Sequence, residues 1–292
     1  MKGAIHLLAA MLLFGCAEKR EPTVSGKPVV FVSILPQAGL VKAIAGDLAE
    51  VYTLIGEGQS PHTYEPTARQ LARLGEADAL LTIGVQFEKH LLKKILPLYP
   101  DLPIVATHAG IERRAMPHEH HGEHCTLDHG AQDPHIWLSP ANTVAIADNI
   151  FHALEKIDPV NSGAYRKNFE QLTGELRQID NEIRTMLTPY SESRFYVFHP
   201  SFGYFATAYE LEQIPVELDG KSPSSHQLVG LIEQAKHDDV KVIFVQAQFP
   251  ADSAKAIADA IEGSVVQLDP LAEDSVANLR LIAESIVQAL EK

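Results

Sequence analysis

The chain has 292 residues, a formal net charge of −14 at pH 7, 46% hydrophobic residues and 21% charged ones. That length accommodates two domains of ordinary size, each with a packed core, and the composition excludes a disordered chain. The acidic balance excludes a broad nucleic-acid surface, which needs lysines and arginines against phosphate, and it suits a protein that concentrates cations.

The first residues combine a basic start at Lys2 with an apolar run, Leu7 to Phe14, followed by Gly15 and Cys16. The run is far short of the roughly 20 residues a membrane-spanning helix needs. Leu13-Phe14-Gly15-Cys16 resembles a bacterial lipoprotein signal, which implies a signal peptide over 1–15 and lipid on Cys16. Residues 16–27 are polar and carry Pro, Ser and Gly, as expected of an anchor and tether. The only other cysteine is Cys125, so lipid on Cys16 leaves no pair for an intramolecular disulfide.

Beyond the tether, short β-rich runs alternate with helical patterns. Strands are predicted at Val29–Ile34, Val51–Ile55, Ala79–Ile83 and Ile104–Ala106, then at Phe195–Phe198, Val216–Leu218, Lys241–Val245 and Val265–Leu268. Several are near-continuous apolar runs, the pattern of parallel strands covered on both faces. Helices are predicted at Ala38–Ala45, Ala68–Leu74, Gln227–Lys236 and Ala254–Ile261, and near Ala141. Between Pro159 and Pro189 the apolar residues Tyr165, Phe169, Leu172, Leu176, Ile179, Ile183 and Leu187 recur every three or four positions, one stripe of a single long helix. A last amphipathic helix covers 274–291. The fold class is therefore α/β, two lobes of parallel β-sheet flanked by helices (28–160 and 190–292), joined by a single long rigid helix over 161–189.

The 14 histidines are unevenly spread. His118, His120, His121, His124 and His129 crowd the loop 117–132 with Cys125 and several carboxylates, in a stretch too polar to pack. Imidazole suits zinc, copper and nickel, so this loop reads as a metal-gathering arm. Three further histidines lie in special, proline-containing settings: His62 in Ser-Pro-His-Thr-Tyr-Glu-Pro, His135 in Asp-Pro-His-Ile-Trp-Leu-Ser-Pro, and His199 directly after a predicted strand and before Pro200. Asp269 follows another strand in the same way. Open α/β sheets bind ligands beyond the carboxyl ends of their strands, so a cleft between lobes brings together four candidate metal ligands, two from each lobe. A lone histidine after a strand is more often a structural hydrogen-bonding residue; the joint pattern carries the metal reading.

The segments PHTYEPT, DPHIWLSP, FHPSFGYFA and LDPL, in that order, with DGKSPSSHQLVGLIEQAKHDDVKVIFVQAQF, resemble the zinc- and manganese-specific (cluster A-I) substrate-binding proteins of ABC importers, from about residue 28 onward. The resemblance implies Zn2+ as the transported ligand, held between the lobes by His62, His135 and His199 with Asp269 as a candidate fourth. It implies an extracytoplasmic protein that serves an ABC permease and its ATPase subunit, and it attaches the His-rich loop to the zinc branch. Manganese members commonly carry Glu where this chain has His199. Many zinc members read Glu-Pro-Gln where this chain has Gln246-Ala247-Gln248, so Gln246 receives no ligand role.

Three imidazoles and at most one carboxylate suit tetrahedral zinc better than oxygen-seeking manganese. Glu65 and Asp133 are candidates to orient histidine rings. Affinity is expected to fall below about pH 6.5, where ordinary imidazoles protonate. A zinc hydrolase is the rival with the same donors, but neither His-Glu-x-x-His nor Gly-x-Ser-x-Gly occurs. No exposed apolar patch can be named for an adhesin. The expected protein is a monomer with no nucleic-acid partner, bound to the membrane through Cys16.

Overall fold

The computed structural model describes residues 26–116, 132–217, 223–249 and 251–291. Cys16 and the His118–His129 cluster lie outside the described residues. Two four-stranded parallel sheets organise the chain. The first contains β1 (Val29–Val32), β2 (Glu50–Thr53), β3 (Ala79–Thr82) and β4 (Ile104–Ala106), in the order β2-β1-β3-β4. The second contains β5 (Arg194–Val197), β6 (Glu212–Pro215), β7 (Val242–Val245) and β8 (Ser264–Gln267), in the equivalent order β6-β5-β7-β8. Around them lie α1 (Leu35–Ala45), α2 (Ala68–Leu74), α3 (Gln86–Ile95), α4 (Pro140–Ile157), α5 (Ser162–Leu187), α6 (Gly203–Ala208), α7 (Ser225–His237), α8 (Asp252–Ala260) and α9 (Ser275–Leu290).

The linking helix is α5, 26 residues and thus about 39 Å long. Its expected stripe is the buried one: Tyr165, Leu172, Leu176, Ile179, Ile183 and Leu187 are all buried. Phe169, partly buried, stacks on Phe151 of α4 at 5.1 Å between ring centroids.

The second sheet divides its side chains by the strand's period of two. Phe195, Val197, Val242 and Phe244 face the large core shared with the first lobe, α5 and α9. Tyr196, Phe198, Ile243 and Val245 face a smaller core with residues of α7 and α8. The C-terminal helix thus crosses back to seal both lobes. Gly39 of α1 permits this, because a β-carbon there would collide with the Glu273 carbonyl; Lys42 pairs with the Glu273 carboxylate beside it.

One strand departs from the sequence expectation. Val216 and Glu217, which open the predicted run Val216–Leu218, are not strand, and Leu218 lies outside the described residues; β6 lies just before them, at Glu212–Pro215. An edge strand needs hydrogen bonds on one side only, so polar residues and a proline suit it, and its apolar signal is weak. Among the described residues no helix is long and apolar enough to cross a membrane.

Candidate metal centre

Each of these three histidines is held by its own local structure. His62 lies on the loop between β2 and α2. Leu54 and Ile55 root the start of that loop in the core, and Gln70 Nε2 donates to the Leu54 carbonyl. Thr67 caps α2 by accepting from Gln70 N, while Tyr64 packs edge-on against Phe87. At the tip, His62 N donates to Ser60 Oγ.

His135 opens a buried turn, Ile136–Leu138, before α4. Asp133, fully buried, accepts with Oδ1 from both the His135 backbone N (2.9 Å) and ring Nδ1 (2.7 Å). Trp137 Nε1 donates to the Pro270 carbonyl across the lobes. Tyr204 of α6 makes a second bridge: its hydroxyl donates to the Asp133 carbonyl and accepts from Arg114 N.

His199 lies two residues past β5, with its ring at the mouth of the second sheet. Val197 pairs in register with Pro215, so two residues on His199 and Glu217 stand side by side. Glu217 Oε1 accepts from His199 Nδ1 at 2.6 Å. The buried Gln246, one residue past β7, brackets the His199 backbone: its Oε1 accepts from His199 N and its Nε2 donates to His199 O. Phe249 stacks on the imidazole at 4.5 Å and 19°.

These constraints converge three Nε2 atoms. His199 Nε2 is 3.3 Å from His62 Nε2 and 3.4 Å from His135 Nε2, and one ring nitrogen from each of the three lies within 4.8 Å of the other two. A tetrahedral zinc with Zn–N near 2.0–2.1 Å requires ligand nitrogens about 3.3–3.4 Å apart. In His135 and His199 the carboxylate on Nδ1 holds the proton there, which leaves Nε2 as a lone-pair donor.

The electrostatics favour the neutral form that a metal needs. His62 is the most exposed of the three residues as a whole, yet burial of its ring, reinforced by His199 and His135, pushes its pKa down to about 4. His199 is lowered as well, chiefly by burial; the Glu217 hydrogen bond works against that shift and His135 adds to it.

Of the residues singled out from sequence, His62, His135 and His199 come together between the lobes. Asp269 stands outside the group: its Oδ1 accepts from Gln248 Nε2 (3.1 Å) and Leu271 N (2.9 Å). Asp133 orients a ring as expected. Glu65 is exposed, and Glu217 fills the orienting role on His199. Gln246, set aside as a ligand, grips the His199 backbone. The cluster opens on a cavity of about 1240 Å³ that Met116 and Gln132 also line. An antiparallel bridge joins Ala115 and Gln132, which also line this cavity.

Two parallel-sheet lobes enclosing three convergent imidazoles define a metal-binding protein of the two-lobed α/β class. The family described as "Zinc-uptake complex component A periplasmic" matches residues 30–290, and the chain belongs to that family. It is 30% identical over 295 residues to the high-affinity zinc uptake system protein ZnuA of Paracoccus denitrificans, covering 88% of each chain. It is 26% identical over 264 residues to the zinc-binding lipoprotein AdcA of Streptococcus pneumoniae, covering 87% of this chain and 51% of AdcA; the chain thus spans about half the length of the streptococcal relatives it matches. A solved structure, a ZnuA 138–173 deletion mutant with zinc bound, superimposes with a TM-score of 0.82 at 38% identity, covering 90% of this chain and 98% of that one.

Proposed function

We propose that this protein captures Zn2+ in the cleft between its lobes through His62, His135 and His199, and delivers it to an ABC permease driven by its ATPase subunit. The observation that carries the reading is the spacing of the three Nε2 atoms, 3.3 and 3.4 Å about His199, which matches the edge of a zinc tetrahedron. An all-nitrogen triad with neutral imidazoles favours zinc over manganese, which seeks more oxygen. The relatives' names, a zinc uptake protein and a zinc-binding lipoprotein, and the zinc-bound structural neighbour support the same assignment.

The zinc is cargo, and the protein acts as a binding subunit rather than an enzyme. It works outside the cytoplasm as a monomer, held to the membrane by lipid on Cys16. His118, His120, His121, His124, Cys125 and His129 form an accessory zinc-gathering arm, with weaker and multiple occupancy. Competitive metal titration of the full chain beside His199→Ala tests the reading. One tight zinc site is expected, weakened at least about 10³-fold in the variant, with weaker sites surviving in both. Equal competition by manganese, or a tight site that persists in His199→Ala, would overturn it.

A further inference from the structure

Three imidazoles supply three corners of a zinc tetrahedron, and the fourth corner has a candidate keeper one residue before Phe249. Gln248 lines the same cavity as His62, His135 and His199. Its Oε1 is buried and has no hydrogen-bond partner among the described residues. A buried amide oxygen left unpaired carries a penalty, so some donor belongs against it when the site is in use.

The orientation of the amide is dictated by Asp269. A carboxylate accepts and does not donate, so Gln248 must present its NH2 to Asp269 Oδ1, as it does at 3.1 Å. Asp269 is itself fixed: Leu271 N donates to the same oxygen, and Asn278 Nδ2 donates to the Asp269 carbonyl at 2.8 Å. Oε1 is therefore the end of the amide turned away from Asp269.

We infer that Gln248 Oε1 accepts a hydrogen bond from a water molecule that occupies the fourth position on zinc, and that Asp269 acts through Gln248 rather than on the metal. Zinc polarises its bound water and makes it a strong donor, which is the partner a neutral amide oxygen lacks. Gln248 is then a positioning residue, and Asp269 the group that aims it. The arrangement suits a protein that must give its cargo away. A water ligand can be exchanged for an incoming ligand on the permease before any histidine–zinc bond breaks, whereas a carboxylate ligand would add a charged contact to be undone.

This inference rests on the three-histidine site proposed above, and the test separates the two. The zinc affinity of the full chain, and the visible spectrum of its cobalt(II) form, are measured for the native protein, Gln248→Met, Asp269→Asn and the double variant. In Asp269→Asn the new side-chain NH2 can donate to Gln248 Oε1 and turn the amide from its task, so the two substitutions probe one device by different routes. Each single variant is expected to bind zinc about tenfold more weakly with cobalt bands unmoved, because the metal keeps three nitrogens and one water. The double variant is expected to lose no more than either single one, as residues acting as a unit do. Three results overturn the inference while leaving the histidine site intact. Bands that move in Asp269→Asn with a loss above about 100-fold make Asp269 the ligand. Bands that move in Gln248→Met make Gln248 itself the ligand. Affinities within about twofold of native in both variants leave Gln248 no role. Failure of the histidine site reads differently, as no tight site in the native protein at all.

Discussion

The two lobes share one strand order but spend the polar groups at their strand ends in opposite ways. In the first lobe Ser33, Gln37, Thr82, Glu88 and Thr107 satisfy one another, although His108 Nδ1, two residues past β4, is buried with no partner among the described residues. Glu88, buried, accepts from Ser33 Oγ, Ile83 N and Gly84 N. Gln37 accepts from Ser33 N and donates to Thr107 Oγ1, which in turn donates to the Thr82 carbonyl. In the second lobe His199, Glu217, Gln246 and Asp269 stand at the ends of β5, β6, β7 and β8. There, Glu217 and Gln246 are bonded to His199, and its Nε2 is turned to those of His62 and His135 in the proposed zinc site. The first lobe instead delivers His62 and His135 from loops. Buried polar residues at strand ends therefore do not by themselves mark a site. What distinguishes the site is that ring nitrogens left over by their networks converge, as those of His62, His135 and His199 do.

The sharpest way to break that comparison is to cut each network at its carboxylate. Glu88→Ala strands three donors, two of them buried, and burial already raises the Glu88 pKa despite their hydrogen bonds. Stability is expected to fall by about 2–4 kcal/mol in urea or thermal unfolding, with zinc affinity held within about threefold. A variant of native stability that bound zinc tenfold more weakly would place Glu88 in the metal site and erase the distinction. Next in size, Glu217→Gln leaves His199 in place but weakens control of its tautomer and its basicity. Zinc binding is expected to weaken about 10–100-fold with little change in the unfolding of the metal-free protein. If the reverse held, with lost stability and native affinity, the second lobe's network would be structural like the first.

The same contrast explains what could be read from the chain beforehand. The α5 stripe was legible because helical burial repeats locally, every three or four residues, and the three histidines because proline-stiffened loops set them apart. Asp133 was legible because it lies two residues from His135. Glu217 was not, since it lies 18 residues from His199 and only the β5–β6 register joins them. The apolar neighbours Val216 and Leu218 disguised it as strand, while the real strand, Glu212–Pro215, carries an edge strand's weak pattern. Glu65 looked equivalent to Asp133 by proximity alone, but its loop turns it to solvent. Gln246 stood out as a departure from the family's usual Glu-Pro-Gln, while Gln248 matches that pattern and drew no attention; a glutamine's role depends on which way its amide faces, and only packing fixes that.

The smallest expected effect concerns pH, and here the structure revises the simple expectation. Three ordinary imidazoles with pKa near 6.5 would cost about 50-fold in zinc affinity between pH 7.5 and 6.0, because each must lose its proton to bind. His62 is pushed down to about 4, so it stays neutral well below pH 6.5, and His199 is lowered in the same direction. The loss over that interval is expected to fall clearly short of 50-fold, as measured with a competing chelator whose own pH dependence is known. The cost appears in the metal-free fold instead. The unfolded chain takes up protons on these histidines as pH falls through 6.5 while the folded chain does not. Wherever the unfolded state binds more protons, stability rises with pH. The metal-free protein should therefore lose stability steadily from about pH 6.5 toward 4, and zinc should offset that loss for as long as it stays bound. A drop in affinity of about 50-fold or more by pH 6.0, together with a metal-free stability flat over the same range, would mean that His62 and His199 titrate as if exposed and that the lobes do not hold the rings together in advance of the metal.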